Sequence, residues 1–171
     1  MADLAARIAR LRVPLGFACG LAVLWLAHPT WPSLGAGALV ALAGETIRIW
    51  AAGHLEKGRE VTKSGPYRWA KHPLYLGSSV MGVGVAIASA SEAASVVIVG
   101  YLAITLTAAI RTEEAWLRRT FGDEYDAYSR GRVAGQDRRF ALARVRRNRE
   151  GRAIIGLLVG LAILALKTAF M

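Results

Sequence analysis

The chain has 171 residues, of which 54% are hydrophobic, and it carries a formal net charge of +10. A basic balance usually indicates nucleic acid or an anionic surface as the partner, and the long apolar runs favour a membrane here. The single cysteine, Cys19, excludes a disulfide framework and a thiolate metal cluster. The three histidines are widely spaced and match no metal-binding motif, so we predict no metal site.

Five apolar stretches follow one another along the chain, at residues 13–27, 34–52, 74–90, 93–110 and 153–169. A helix needs about 20 apolar residues, within a range of about 17–25, to span a bilayer. The sequence therefore predicts an all-α, polytopic membrane helical bundle of about five transmembrane helices. The first stretch is short and follows three arginines, which is also typical of a secretory signal peptide. We favour a span, because no small-residue cleavage site follows promptly and a Pro-containing turn leads into the second helix.

The basic residues are sorted between the connecting segments. Residues 1–12, 53–75 and 111–152 hold 20 of the 22 lysines and arginines, whereas residues 28–33 and 91–92 hold none. Because basic segments stay on the cytoplasmic side of a membrane, we expect the N-terminus and these three segments in the cytoplasm and the C-terminus outside. The expected location is an integral position in a bacterial inner membrane.

Two features inside the spans require an explanation. Glu45 and Arg48 are three residues apart on one face of the second helix, and ionisable groups within a span are costly and usually serve a site or a structural ion pair. Both roles stay open, and Arg48 is a candidate for binding substrate. The third helix carries small residues four apart, which predicts a stripe for close packing within the bundle or in a dimer. These residues are Ser78, Gly82, Ala86 and Ala90.

The segment at residues 130–152 is strongly basic, and Phe140, Leu142 and Val145 separate its arginines. This composition is typical of an interfacial segment attracted to anionic lipids. Nucleic acid is the competing partner, but the segment adjoins a span and no nucleic-acid recognition fold is evident. We therefore expect lipid contact and no nucleic-acid binding.

Two motif blocks flank the central pair of helices. The first contains Gly65-Pro66-Tyr67-Arg68 and His72-Pro73-Leu74-Tyr75-Leu76-Gly77, where a loop enters the third helix. The second contains Glu113-Glu114 and Phe121-Gly122-Asp123-Glu124-Tyr125-Asp126-Ala127-Tyr128, where the fourth helix leaves the membrane. One interpretation of the aromatic residues in the first block is that they form an interfacial belt and have no further role. The glutamate pair, at a boundary that favours basic residues, calls for a positive partner.

In order and spacing, the two blocks resemble the signature of the isoprenylcysteine carboxyl methyltransferase family and its phospholipid N-methyltransferase relatives. The resemblance covers about residues 45–130 and leaves the last apolar stretch unexplained. Lys71 replaces the arginine that usually precedes His-Pro, which keeps the charge and loses the planar guanidinium. Residues 1–52 would then form two N-terminal spans, 53–130 the methyltransferase core, 131–152 the basic segment and 153–171 a C-terminal span.

The resemblance implies that S-adenosylmethionine binds on the cytoplasmic side and that a lipophilic substrate enters from the bilayer. Aromatic faces suit a sulfonium, glutamates suit the cofactor's amino and hydroxyl groups, and backbone donors at a helix start suit its carboxylate. Arg111 would orient a substrate carboxylate, and no nucleophilic residue or base is expected, because positioning supplies most of the catalysis. The implied cofactor contacts are Tyr67, His72, Pro73, Leu74, Tyr75, Gly82, Gly84, Glu113 and Glu114.

The nature of the methyl acceptor stays open between two enzyme functions. The abundance of arginine near the site favours an anionic acceptor, such as the carboxylate of an isoprenoid or a prenylcysteine-like compound. The alternative is a phospholipid or lipid-amine N-methyltransferase on the same scaffold. A non-catalytic membrane protein is a third hypothesis, supported only by Lys71, and the oligomeric state is not predicted.

Overall fold

The computed structural model describes the backbone of residues 2–170 and the side chains of residues 11 and 14–170. Every regular element within these residues is helical, which confirms the predicted fold class. A short 3-10 turn, Gly65–Arg68, precedes the third helix. The helices are α1 (Ala2–Leu26), α2 (Trp31–His54), α3 (Pro73–Ser89), α4 (Glu92–Phe121), α5 (Asp123–Ser129), α6 (Leu142–Arg147) and α7 (Gly151–Phe170).

Five apolar helices occur where the five apolar stretches predicted them. By length and composition α2, α4 and α7 are long and apolar enough to cross a membrane, whereas the apolar part of α1, Pro14–Leu26, and α3 are shorter. α1 packs along α4 through Val23, Ala94 and Ile98, in keeping with an integral part of the bundle. The arginines at 7, 10 and 12 lie outside the described side chains.

Four glycines allow α2 and α3 to pack backbone against backbone. A Cβ added to Gly44 would lie 2.7 Å from the carbonyl oxygen of Gly77, and one added to Gly84 would lie 2.6 Å from that of Gly37. Such distances leave no room for any side chain, so small residues set the separation of these helices. Gly77 closes the His-Pro-x-Tyr-x-Gly motif, and the structure therefore gives that glycine a packing role.

The small residues of the predicted stripe on α3 face different neighbouring helices. Ser78 faces α2, where its hydroxyl accepts a hydrogen bond from Arg48. Gly82 instead faces Leu102 of α4. Ala90 lies beyond the helix as a left-handed cap with a φ of 47°. The glycines in contact between α2 and α3 are seven residues apart in each helix, rather than four.

The two ends of the bundle are chemically different. At one end, which we call the turn end, Lys167 Nζ donates to the carbonyl oxygens of Leu24 and Trp25 at 2.9 and 3.0 Å. The backbone N–H of His28 donates to Ser89 O at 2.8 Å at this same end. The opposite end, the loop end, carries residues 55–72 and 122–150. The structure thus gathers the basic connecting segments at one end, while their cytoplasmic orientation stays a prediction.

Salt bridges dock the basic segment onto the loop after α2. Glu56 accepts from Arg144 at 2.8 Å and from Arg147 at 2.7 Å, and Arg138 pairs with Glu60 at 2.6 Å. Burial alone would raise the pKa of Glu56, but the hydrogen bonds from the two arginines hold it below its ordinary value. Three of the arginines in this segment are therefore committed to protein carboxylates. Further arginines remain exposed, at Arg132, Arg139, Arg146, Arg149 and Arg152.

Candidate functional site

A histidine and two glutamates join the two motif blocks at the loop end. His72 precedes Pro73, which begins α3, and α4 continues beyond its apolar run far enough to bring Glu113 and Glu114 alongside. His72 Nε2 lies 3.1 Å from Glu114 Oε1, and His72 Nδ1 lies 3.9 Å from Glu113 Oε2. The His72–Glu114 contact joins two residues that are 42 positions apart in the chain. The positive partner predicted for the glutamate pair is Arg118, whose Nη1 lies 3.7 Å from Glu114 Oε2.

Tyr67 and Tyr75 complete the aromatic side of this arrangement. Gly65, with a φ of 55°, opens the turn that buries Tyr67, and the Tyr67 carbonyl accepts from the Tyr128 hydroxyl at 2.8 Å. Burial, with Glu113 next in effect, raises the pKa of Tyr67 well above its ordinary value. The rings of Tyr75 and His72 are 5.7 Å apart. Tyr67 therefore stays a neutral phenol beside a carboxylate.

Two further tyrosines belong to the site, although the sequence analysis gave them no role. Tyr125 and Tyr128 lie on one face of α5, which starts after Gly122, at a φ of 47°. Tyr125 is 1% exposed, and its hydroxyl has no well-formed hydrogen bond to any side chain or backbone group that the structure describes. Burial, with Glu114 next, raises the pKa of Tyr125 to about 12. The i, i+3 spacing of the two tyrosines was the signal that could have revealed them.

A cavity of about 260 Å³ opens beside Tyr67. Lys63, one of its lining residues, pairs with Glu124 at 2.6 Å, and Arg68, another, donates to the carbonyl of Gln136 at 2.9 Å. Tyr67 and Tyr128 both border this cavity. The cavity is lined by Lys63, Tyr67, Arg68, Tyr128, Gly131, Val133 and Gly135.

A second charged cluster lies inside the bundle between α2, α3 and the start of α7. Arg48 lies 2.7 Å from Glu150 and 3.4 Å from Glu45, and it donates to the Ser78 hydroxyl. The pairing of Glu45 with Arg48 was predicted from their spacing. Glu150 was not, because it lies in a segment whose composition indicated only lipid contact.

The remaining predicted site residues fall into two groups. Pro73 is fully buried and Leu74 half-buried in the first turn of α3, next to His72. Gly82 and Gly84 are not brought to the polar residues, because Leu102 and the α2 backbone occupy their faces. Arg111 is exposed on α4 and makes no ion pair with any side chain that the structure describes. No group of His, Cys, Asp and Glu within the described residues is arranged to hold a metal ion.

Comparison with known proteins gives one family match and curated relatives. The phospholipid methyltransferase family profile matches residues 33–124, which is more than half of the chain. The nickel-cobalt-cadmium resistance protein NccN of Alcaligenes xylosoxydans xylosoxydans is 32% identical over 106 residues, covering 59% of this chain and 49% of the relative. The cobalt-zinc-cadmium resistance protein CzcN of Cupriavidus metallidurans is 30% identical over 133 residues, covering 72% and 60%.

These matches leave part of each relative uncovered. The chain spans about half the length of NccN and three fifths of CzcN. No solved structure gives a significant match to this chain. The family match contains His72, the two glutamates and Arg48. It ends before Tyr125, Tyr128 and Glu150.

Proposed function

Because the chain belongs to the phospholipid methyltransferase family, we propose that it is a membrane methyltransferase that transfers a methyl group from S-adenosylmethionine to a lipophilic acceptor in the bilayer. The observation that carries this proposal is the junction of the two motif blocks, in which His72 lies 3.1 Å from Glu114 and 3.9 Å from Glu113. Tyr67 and Tyr75 flank that junction.

The residues at the junction fit the chemistry of this cofactor. When bound, S-adenosylmethionine supplies an electrophilic methyl group on a positively charged sulfur. Tyr75 offers an aromatic face for that charge, and Glu113 and Glu114 offer carboxylates for the amino group and the ribose hydroxyls. The carboxylate of Glu114 also fixes the orientation of the His72 ring. This set of acidic and aromatic side chains therefore favours a cationic ligand over an anionic one.

The charges around the site favour an amine as the methyl acceptor. The sequence-based preference for a carboxylate depended on the abundance of arginine. The structure pairs Arg138, Arg144 and Arg147 with glutamates at the surface and leaves Arg111 exposed. Arg48 lies inside the bundle, between two carboxylates. We therefore propose a lipid with an ammonium headgroup, a choice in accord with the description of the family.

Methylation of a carboxylate, on an isoprenoid or prenylcysteine-like acceptor, is the second candidate function. The motif blocks and the interior guanidinium of Arg48 favour it, since a guanidinium binds a carboxylate through two parallel hydrogen bonds. Incubation of native membrane extract with methyl-labelled cofactor separates the two functions. Label that is stable to base on an amine supports the first, and base-labile label indicates an ester.

Equilibrium binding of S-adenosylmethionine to the detergent-purified chain tests the cofactor. We expect His72→Ala and Glu114→Ala to weaken binding, because each removes one side of the pair that joins the motif blocks. Glu92→Gln is the matched control, since Glu92 lies on the same helix as Glu114 and at the opposite, turn end. Absence of binding by the intact chain, or equal binding by the His72 and Glu114 variants, would contradict the proposal.

The exposed arginines of the basic segment support a separate role at the membrane surface. We propose that they contact anionic lipid headgroups, because Leu142, which is 63% exposed, lies among them and α7 follows directly. Thermal stability in nanodiscs of phosphatidylglycerol should exceed that in phosphatidylcholine, and Arg146→Gln with Arg149→Gln should reduce the difference. Equal stability in both lipids would contradict lipid contact by this segment.

A further inference from the structure

The cluster inside the bundle holds more acidic than basic side chains. It brings together two carboxylates, Glu45 and Glu150, and one guanidinium, Arg48, with the hydroxyl of Ser78. Glu45 is 4% exposed and Glu150 is 6% exposed. Charges removed from water require compensation, so an acidic cluster in this position favours the binding of a cation or a proton.

Glu45 is the member of the cluster whose carboxylate lacks a hydrogen bond from any residue that the structure describes. Both of its carboxylate oxygens are buried and accept no hydrogen bond from the residues that the structure describes. Its ion pair is the 3.4 Å approach to Arg48 Nε, which itself forms no hydrogen bond there. The terminal nitrogens of Arg48 are directed instead to Glu150 and Ser78. A buried carboxylate of this kind has unused capacity for an N–H donor.

The backbone around Glu150 is built to hold its side chain in this position. Arg149 has a φ of 60°, a left-handed conformation that L residues rarely adopt, and α7 starts directly after Glu150. Asn148 donates to the carbonyls of Ala52 and Leu55 at 2.9 and 3.1 Å, which fixes this turn against the end of α2. A segment beyond the family match thus supplies the second carboxylate of the cluster.

The cluster borders the proposed methyl-transfer site on the bilayer side. Gly77 of the motif packs against Arg48, with an added Cβ 2.7 Å from Arg48 Cγ. Ser78 is one helical turn from Tyr75 on α3. Glu150 also raises the pKa of Tyr67, with a smaller effect than burial, Glu113, Tyr128 and Tyr75. A headgroup that reaches the cluster from the membrane therefore lies next to the residues expected to hold the cofactor.

We propose that the Glu45 carboxylate binds the ammonium headgroup of the methyl acceptor and receives the proton that its nitrogen must lose before methylation. The inference rests on the proposed function. A proton passes from nitrogen to Glu45, and the freed lone pair forms the nitrogen–carbon bond while the methyl carbon separates from sulfur. The electron pair of the broken bond stays on sulfur, which becomes a neutral thioether, and nitrogen regains its positive charge. Arg48 and Glu150 act as positioning residues that orient Glu45.

A binding measurement tests this role without any methyl transfer. The purified chain is heated in detergent with dodecylammonium or, as the uncharged comparison, with dodecanol. A ligand that binds the folded state raises its Tm. We expect dodecylammonium to raise the Tm of the wild type and of the control Glu92→Gln more than dodecanol does, and this difference to be absent in Glu45→Gln. Glu150→Gln, which leaves Arg48 free to neutralise Glu45, should show a reduced difference and serves if Glu45→Gln does not fold.

A transfer measurement then separates the inference from the proposed function. Nanodiscs containing phosphatidylethanolamine, or phosphatidylcholine nanodiscs with soluble ethanolamine, are supplied with methyl-labelled cofactor, so that lipid and free amines are distinguished. Glu45→Gln should bind the cofactor as the wild type does. It should transfer methyl groups at least about 100-fold more slowly, which is the usual effect of losing a general base.

The possible outcomes lead to different conclusions. An equal effect of dodecylammonium on the wild type and Glu45→Gln, or no effect on the wild type, overturns the role of Glu45 whatever the activity. Ammonium binding that depends on Glu45, without methylation of either amine by the wild type, upholds the site and overturns the proposed amine methyltransferase.

Discussion

Substitution of Gly84 by alanine distinguishes a packing glycine from a cofactor-binding glycine. An added Cβ would lie 2.6 Å from both the Ala41 Cα and the Gly37 carbonyl oxygen. These are backbone atoms of α2, so no rotamer change can relieve the overlap and the two helices must move apart. Overpacking of this kind costs about 1–3 kcal/mol. For a chain of this size we expect a fall in Tm of about 2–12 °C.

Thermal unfolding in detergent, measured together with cofactor affinity per folded molecule, provides the assay. Gly35→Ala is the matched control on the facing helix, because nothing lies within 4 Å of its added Cβ. Gly82→Ala should have a smaller effect than Gly84→Ala, since the atom it meets belongs to the flexible Leu102 side chain. The cofactor affinity of folded Gly84→Ala should equal that of the wild type. An unchanged Tm with a loss of cofactor affinity would refute the packing explanation and restore Gly84 to the cofactor site.

Three further predictions concern the pair at the junction, the docked basic segment and the orientation. In a double-mutant cycle, His72→Gln and Glu114→Gln should show a coupling of about 0.5–3 kcal/mol in cofactor affinity, and additive losses would contradict a shared hydrogen bond. The pKa of Glu56 is lowered in the folded chain, so its stabilising effect is present above its ordinary value of 4.5 and is lost as the pH falls below it. The pH dependence of Tm should therefore be weaker in Glu56→Gln in that range, and identical profiles would count against the salt bridges. A reporter fused at the C-terminus should read extracytoplasmic and one at residue 135 cytoplasmic, whereas the same side for both would remove α7 as a span.

The helices and the junction of the motif blocks were predictable because local rules determine them. Apolar runs of sufficient length form helices in a membrane whatever their partners, and Pro73 marks the start of α3 in the sequence itself. His72 and the glutamate pair stand at the two free ends of a helical hairpin, so the hairpin brings them together.

The contacts of single side chains were less predictable because they depend on helix rotation and on long-range docking. The spacing of small residues in α3 fits more than one face, and only the glycines of α2 select the correct one. Arg144 looks like a lipid anchor in the sequence, although a carboxylate 88 residues earlier holds it. The role of Glu150 depends on the left-handed conformation of Arg149, which no sequence pattern indicates.

The docking of the basic segment connects its salt bridges to the interior cluster. Glu56 holds Arg144 and Arg147, and the turn that follows them delivers Glu150 to Arg48. We therefore expect Glu56→Gln to reduce the Glu45-dependent effect of dodecylammonium, although Glu56 is not part of the cluster. A Glu124→Gln control removes a salt bridge at the same end without contact to the turn and should leave that effect unchanged. Equal ammonium effects in the Glu56 variant and the wild type would show that α7 positions Glu150 without the docked segment.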